Sequence, residues 1–208
     1  CNSQYVLIRT WVATDTLDNT ITHTQTVTVE DTTAPTFNEA LPADVTVECN
    51  GVPEAVILTA SDNCDNEIKV SFEEKRLDSN CDYEYILYRT WTALDCVGNT
   101  IYHTQTVTVE DTTAPTFNEA LPADVTVECD NVPEEETLTA DDNCGDATVT
   151  FSETTTDGDC PGNYSINRSW TATDQCGNTT IHTQTVTVED TTAPTFNEAL
   201  PADVTVEC

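Results

Sequence analysis

One stretch of this sequence occurs three times without a change, and that repetition limits the fold more than any other feature. The stretch, HTQTVTVEDTTAPTFNEALPADVTVEC, occupies residues 23–49, 103–129 and 182–208. Its copies begin 80 and 79 residues apart, which is the size of one small β domain. Apolar and polar residues alternate at both of its ends, with Glu30–Pro35 between them. Each copy therefore predicts the last strand of one module, a junction, and the first strand of the next module.

The spacing of the copies predicts two complete modules, at residues 32–111 and 112–190. Residues 1–31 match the C-terminal part of a repeat, and residues 191–208 match the first strand of a following repeat. Because these two ends lack the middle of a module, we expect the sequence to be part of a longer array. A unit of this size buries only a modest core and usually needs disulfides or metal ions for stability.

Short alternating segments, separated by Gly, Asn, Asp and Pro, predict an all-β antiparallel sandwich. No segment of useful length has helical periodicity. In the longest segment, 83–95, the side chains of Tyr85, Leu87, Arg89, Trp91 and Ala93 fall on one face. The predicted strands are 43–49, 55–60, 68–73, 83–95 and 101–110 in the first module, and 123–129, 137–140, 147–151, 164–174 and 181–189 in the second.

The charge balance excludes two classes of partner. Asp and Glu outnumber Lys and Arg by 38 to 6, giving a net charge of −32. Nucleic acids and anionic membranes require clustered cations, so neither is expected to bind. No apolar run approaches the length of a membrane span, so we predict no membrane insertion in this segment.

Ten cysteines at recurring positions predict an oxidising compartment, and therefore an extracellular or cell-surface location. If successive strands run alternately up and down, the cysteines fall into pairs at the two poles of each module. The predicted disulfides are Cys49–Cys81, Cys64–Cys96, Cys129–Cys160 and Cys144–Cys176. We expect the partners of Cys1 and Cys208 to lie outside this stretch of chain. A zinc site of four thiolates would need closely spaced cysteine pairs, which the sequence lacks.

The run Trp91-x-Ala93-x-Asp95-x-x-Gly98-Asn99, followed by Val109-x-Asp111 and Pro115, resembles the hyalin repeat. The resemblance is greatest to the variants in large bacterial surface proteins and adhesins. It implies tandem immunoglobulin-like antiparallel β-sandwich repeats that form an extended rod with adhesive or matrix-like roles. The sequence departs from the family at His23, His103 and His182, where hyalin repeats often have cysteine. The disulfide scheme of the family therefore does not transfer directly.

Carboxylates recur near each predicted joint and are the strongest candidates for a metal site. With the strand directions above, each junction abuts the acidic loops at one pole of the next module. Ca²⁺ takes six to eight oxygen ligands, which such a cluster offers, although the spacing is not that of an EF-hand. The alternative is a solvated acidic surface that keeps the protein soluble. The candidate Ca²⁺ ligands are Glu30, Asp31, Asp62, Asp65 and Asp95 at one joint, and Glu110, Asp111, Asp141, Asp142 and Asp174 at the next.

The recurring histidines and arginines predict structural roles. The three histidines occupy equivalent places in separate modules, so they cannot converge on one metal or substrate. No serine or cysteine nucleophile is placed beside them, so we predict that the protein is not an enzyme. Arg9, Arg89 and Arg168 each stand two residues before a tryptophan, where stacking or pairing with a carboxylate is expected.

Together these patterns predict an extracellular structural and adhesive stalk, stiffened by disulfides and by Ca²⁺ at its joints. Its partners would be the neighbouring repeats of the same protein. One alternative is a self-assembling extracellular filament, in which other copies of the chain are also partners. Another is an adhesin whose modules bind glycans through their variable loops.

Overall fold

The computed structural model describes residues 4–159 and 162–208. It divides into two compact units, Cys1–Thr112 and Thr113–Cys208, which we treat separately. The described residues form strands and one short 3-10 turn at Cys49–Gly51, and among them no helix has the length and apolar character that crossing a membrane requires. The predicted all-β class is confirmed.

The first unit contains eight strands. They are β1 (Tyr5–Thr14), β2 (Thr20–Val29), β3 (Thr36–Phe37), β4 (Val45–Glu48), β5 (Ala60–Ser61), β6 (Lys69–Asp78), β7 (Tyr85–Leu94) and β8 (Thr100–Glu110). Among them, β4, β8, β7 and β6 form a four-stranded sheet in that order, and β3 pairs with β5. The strands β1 and β2 form a separate hairpin.

The second unit repeats the arrangement of the complete module. Its strands are β9 (Thr116–Phe117), β10 (Val125–Val127), β11 (Ala140–Asp141), β12 (Thr148–Asp157), β13 (Tyr164–Thr173) and β14 (Thr179–Val188). The sheet order is β10-β14-β13-β12, and β9 pairs with β11. In both modules the positions of the predicted strands agree with this pattern, except for the second predicted strand.

That second predicted strand, residues 55–60, is mostly irregular and covers the sheet without joining it. The backbone carbonyl of Val56 accepts a hydrogen bond from the Trp91 indole at 3.0 Å, and that of Pro53 accepts one from the Arg89 guanidinium at 2.8 Å. Side chains of the sheet therefore hold this segment in place, whereas a strand would have been held by backbone hydrogen bonds to a neighbouring strand. Only Ala60 of this prediction lies in a strand.

The first and last strands of each module pair in parallel, which the sequence reading did not anticipate. Val45 lies opposite Val107 and Glu48 opposite Glu110, while all other pairs in this sheet are antiparallel. In the second module Val125 lies opposite Val186 in the same way. Since the two strands lie in different copies of the repeated stretch, each module closes by joining two copies.

The face of β7 predicted to be buried is buried. Leu87 clusters with Val107 and Val109, and Val45 and Val47 pack against them from β4. Farther along the strand, the Trp91 side chain is 1% exposed and packs against Phe72 and His103. The predicted role of the arginines is confirmed in both modules, since Arg89 pairs with Glu74 at 2.7 Å and Arg168 with Glu153 at 2.9 Å.

The β1–β2 hairpin shows that burial of the tryptophan depends on the other strands of the sheet. Trp11 occupies the place of Trp91 in the repeat and contacts His23 across the hairpin as Trp91 contacts His103, but its side chain is 50% exposed. No counterpart of β4 or β6 lies beside this hairpin in the described residues. The hairpin pairing is therefore local, while burial of the tryptophan requires the complete module.

We expect Trp91→Ala to destabilise its module by about 3–5 kcal/mol, because it leaves a large cavity in the core. Trp11→Ala is the matched control at the equivalent position, and since Trp11 is half exposed its cost should stay below about 1 kcal/mol. Urea unfolding followed by circular dichroism measures both values. Equal losses for the two variants would contradict the buried role assigned to Trp91.

Candidate functional site

The strongest candidate site in the first unit is a cluster of carboxylates at the end where the chain enters the complete module. Asp31 precedes β3, and Asp62 follows β5, which pairs with β3 through Thr36 and Ser61. One carboxylate oxygen of Asp31, one of Asp62 and the sulfur of Cys64 lie within 4.8 Å of one another. The structure therefore brings together two of the predicted ligands of the first joint.

Asp31 is the central residue of this cluster, and its carboxylate is only 4% exposed. Its Oδ1 accepts a hydrogen bond from the Thr33 backbone N–H at 3.2 Å, while its Oδ2 is buried and has no hydrogen-bond partner. The side chain of Asn99 donates to the backbone carbonyl of Asp31 at 3.3 Å and so fixes the junction against the loop after β7. A buried carboxylate oxygen without a donor is costly, so this arrangement favours a cation beside it.

Asp62 uses its two oxygens in different ways. Its Oδ1 accepts hydrogen bonds from the backbone N–H groups of Cys64 at 2.8 Å and Asp65 at 3.1 Å, which shapes the loop. Its Oδ2 is buried without a partner, like Oδ2 of Asp31. Two unpaired carboxylate oxygens in one cluster provide hard ligands of the kind that Ca²⁺ prefers.

The sequence did not predict a cysteine in this cluster. The Cys64 sulfur is a free thiol. Desolvation of the sulfur, and then the negative charge of Asp31 and Asp62, raise the pKa of the Cys64 thiol above its ordinary value. At neutral pH the group is therefore a protonated thiol and a poor ligand for Ca²⁺, which binds oxygen.

Asp65 and Asp95 accept hydrogen bonds that hold the loops in place. Asp65 Oδ2 accepts a hydrogen bond from the Cys96 backbone N–H at 2.8 Å. Asp95 Oδ1 accepts three backbone N–H groups, from Val97, Gly98 and Asn99, at 2.7–3.0 Å. Gly98 has a φ of 106°, a conformation that favours glycine, so the turn needs both residues of the Asp95-x-x-Gly98 spacing.

Asp95 is almost fully buried, and burial alone would raise the pKa of its carboxyl group. Hydrogen bonds from the Asn99 side chain and from the backbone of the loop outweigh that effect and lower the pKa below its ordinary value. The carboxylate is therefore charged at neutral pH and stabilises the loop in that form. The motif residues that carry the resemblance to hyalin repeats thus have a structural function.

The second unit contains the equivalent loops. Asp142 Oδ2 accepts the Cys144 backbone N–H at 2.8 Å, and its Oδ1 is buried without a hydrogen-bond partner. Asp174 accepts three backbone N–H groups of its own loop, as Asp95 does. Asp141 lies in β11 and is exposed. Of the other predicted ligands, Asp111 is buried in the first unit, and Glu30 and Glu110 are exposed.

The histidines have the structural role predicted for them. His103 Nε2 lies 2.8 Å from the backbone oxygen of Pro42, and His182 Nε2 lies 2.8 Å from that of Pro122. Each ring also stacks on the tryptophan of its own module. These contacts fix the start of β4 or β10 against the last strand.

Two of the predicted disulfides are wrong. Cys64 is a free thiol while Cys96 is disulfide-bonded, and since a sulfur forms one such bond the pair Cys64–Cys96 does not exist. Cys129 is also a free, exposed thiol, which excludes Cys129–Cys160, although Cys160 lies outside the described residues. Cys49, Cys81, Cys144 and Cys176 are all disulfide-bonded, and Cys208 is a free thiol.

Comparisons with known proteins support the resemblance found in the sequence. Residues 37–109 match the family described as an HYR-like domain with 4 cysteines, so the first complete module is hyalin-repeat-like. No curated protein sequence matches the chain.

Among solved structures, the chain is similar to Drosophila N-cadherin EC1-4, with 12% identity, coverage of 90% of this chain and 58% of that one, and a TM-score of 0.33. It is also similar to mouse clustered protocadherin domains EC1-3, with 14% identity, coverage of 91% and 77%, and a TM-score of 0.32. The chain thus spans little more than half of the N-cadherin fragment. Similarities of this size carry no argument about function.

We expect Asp95→Asn to lower the melting temperature at neutral pH, because an amide cannot accept all the hydrogen bonds of the loop. A lowered carboxyl pKa contributes stability above the unfolded value of about 4, and that contribution is lost as the pH falls through the folded value. The gap between wild type and variant should therefore be widest near pH 7 and narrow below about pH 4. Thermal melts across this range measure it, with Glu67→Gln, an exposed carboxylate, as the control. A gap that stays constant with pH would contradict the assignment.

Proposed function

We propose that this chain is part of an extracellular structural and adhesive stalk, in which immunoglobulin-like modules follow one another in series and Ca²⁺ binds at their junctions. The observation that carries the proposal is that Asp31 and Asp62, which each bring one carboxylate oxygen to the same cluster, each have a buried oxygen without a hydrogen-bond partner. It lies in the junction that the sequence repeats three times without change. The bonded cysteines support an oxidising, extracellular location.

The charges of the junction favour a divalent cation. Two carboxylates whose ligand oxygens lie within 4.8 Å repel each other, and their buried oxygens lack the hydrogen bonds that would offset this. A Ca²⁺ ion bound there would neutralise both groups and draw further oxygen ligands from water or from neighbouring chain. Because Asp31 belongs to the junction and Asp62 to the module, the ion would fasten one to the other.

The same residue types recur at the next junction. Asp111 corresponds to Asp31, and Asp142, whose Oδ1 is buried without a hydrogen-bond partner, corresponds to Asp62. We propose Asp31 and Asp62 as Ca²⁺ ligands at the first junction, and we expect Asp111 and Asp142, their counterparts in the repeat, to serve as ligands as well. Asp65, Asp95 and Asp174 support the loops, and the exposed Glu30, Glu110 and Asp141 supply negative charge around the sites.

The function of such a chain is mechanical. A ten-residue strand such as β7 spans roughly 33 Å, so each module would lengthen a rod by a few tens of ångströms. Identical junctions would give identical angles between successive modules, and therefore a regular fibre. Lateral assembly into a filament would have to overcome a net charge of −32 per chain, which favours single rods unless cations screen it. We rank a glycan-binding adhesin behind both the single rod and the filament.

The test is the thermal stability of the chain with calcium and with chelator. At about 10 mM, above the dissociation constants usual for extracellular calcium modules, Ca²⁺ should raise the melting temperature of the wild type. A concentration of 100 times the dissociation constant corresponds to about 2.7 kcal/mol of stabilisation.

The variant Asp31→Asn should lose the calcium response of its module, yet in chelator it should be at least as stable as wild type, because it removes an unpaired buried charge. Asp82→Asn, an exposed carboxylate, is the control and should retain the full response. A wild-type melting temperature that is the same in calcium and in chelator would overturn the proposed calcium site. The stalk itself would then rest on the repeat alone.

A further inference from the structure

We infer that two copies of this chain associate through β6, the edge strand of the sheet in the first complete module. In the described part of the chain, β6 pairs with β7 along one side and with no strand along the other. An edge strand of ten residues presents a row of backbone N–H and C=O groups to which a further strand can bind. The charges of β6 indicate which strand that is.

The charge of β6 differs from that of the chain as a whole. It carries three of the six basic residues in the sequence and three acidic residues, so its net charge is zero in a chain of −32. A second copy that approaches along β6 therefore meets charges of both signs, whereas elsewhere it meets mostly negative charge. The charged residues of β6 are Lys69, Glu73, Glu74, Lys75, Arg76 and Asp78.

The backbone groups of β6 alternate in direction, which determines how a second strand can bind. The Ser79 N–H donates to the Glu84 carbonyl at 3.2 Å, so these two form a hydrogen-bonded pair in line with the β6–β7 ladder. Counting back in twos, the odd-numbered residues of β6 direct their backbone groups to β7, and the even-numbered ones direct theirs to the free edge. Two copies of β6 around a two-fold axis can therefore form an antiparallel ladder through their even-numbered residues.

The charges then select the register of that ladder. With the axis at Glu74, residues 70–78 of the two copies pair, and Glu73 of each copy lies opposite Lys75 of the other. These are non-hydrogen-bonded pairs, in which opposite side chains lie closest together. With the axis at Lys75, two lysines would lie opposite each other. The self-complementary arrangement is the one centred on Glu74.

The residues on the other face of β6 are compatible with this register. Glu74 lies opposite Glu74 of the second copy, but each carboxylate is 2.7 Å from Arg89 of its own module, so the axis carries two ion pairs. Phe72 is 47% exposed and lies opposite Arg76 of the second copy, whose aliphatic stem would cover part of the ring. The pairing thus covers an exposed aromatic side chain as well as the strand edge.

The second complete module lacks this pattern. Its edge strand β12 contains two acidic residues, Glu153 and Asp157, and no basic residue. Ser152 and Thr154 stand where Glu73 and Lys75 stand in β6, so the same register would bring no opposite charges together. We therefore assign the contact to β6, and β12 serves as the internal comparison.

Sedimentation equilibrium of the whole chain in chelator tests this contact without any contribution from Ca²⁺. A pairing of two strand edges is small beside a standard interface, so weak association is expected, and concentrations up to about 1 mM are needed to populate it. The wild-type chain should show a reversible monomer–dimer equilibrium. A chain that stays monomeric up to about 1 mM would overturn the inference.

Two charge variants test whether β6 forms the dimer. Lys75→Glu and Glu73→Lys each place like charges opposite each other across the axis, and each should weaken dimerisation about tenfold. Glu73→Lys is diagnostic because it makes the chain less negative, so repulsion between whole chains predicts the opposite result. The side chains are 71% and 65% exposed, so neither change disturbs the core.

An equimolar mixture of the two variants should associate about as tightly as wild type, because every glutamate at these positions then lies opposite a lysine of the other chain. Thr154→Glu makes the equivalent change in β12 and, as the control, should leave dimerisation unchanged. If the mixture associates no better than either variant alone, the inference is wrong. Failure here leaves the proposed calcium site untouched, and the reverse also holds.

Discussion

Each complete module depends on a parallel pairing between its first and last strands, which come from two successive copies of the repeated stretch. The backbone pairs of Val45 with Val107 and Glu48 with Glu110 are only part of this contact. The side chain of Gln105 donates to the carbonyl of Ala43 at 2.7 Å, and Asp44 accepts the backbone N–H of Thr106 at 2.7 Å. The two halves of the repeated sequence are therefore complementary to each other.

This complementarity gives a physical reason for the identity of the copies. Thr112 donates to Glu48 in the first unit, and Thr191 donates to Glu128 in the second. A change in the first half of the stretch would lose its partner in the second half of the preceding copy. Because the middle copy pairs with both of the others, a change in it would have to be matched in both, while the residues between copies are free to vary.

The third copy shows that the sequence alone does not make the strand. Residues 192–208 are identical to 33–49, yet they form no regular strand in the structure, and Phe196 and Val204 are largely exposed. In the first copy the same residues form β3 and β4, which pair with β5 and β8. The tail has neither partner within the described residues. Alternation therefore predicts which residues face inward if a strand forms, and pairing decides whether it forms.

The long strands, the buried face of β7 and the roles of Arg89 and His103 could be predicted because each follows from local periodicity or from the repeat. The irregular cover at 55–60 could not be, since its contacts are side-chain donors reaching its carbonyls across the sheet. Of the carboxylates near the first joint, the sequence could not separate ligand candidates from loop supports. Asp95 Oδ1 accepts three backbone N–H groups, whereas Asp31 accepts one at Oδ1 and has no partner at Oδ2.

That difference has an energetic consequence for the junction. A domain of this size has a total stability of about 5–10 kcal/mol, and an uncompensated buried charge costs several kcal/mol of it. At Asp95 the loop supplies the compensation through its own amides, so the cost is met within the module. At Asp31 and Asp62 the fold leaves oxygens unpaired, although Thr33 and Cys64 show that backbone donors are available nearby. The unpaired oxygens of Asp31 and Asp62 are therefore an energetic cost that the loops of the first module do not offset by themselves, in contrast to the carboxylate of Asp95.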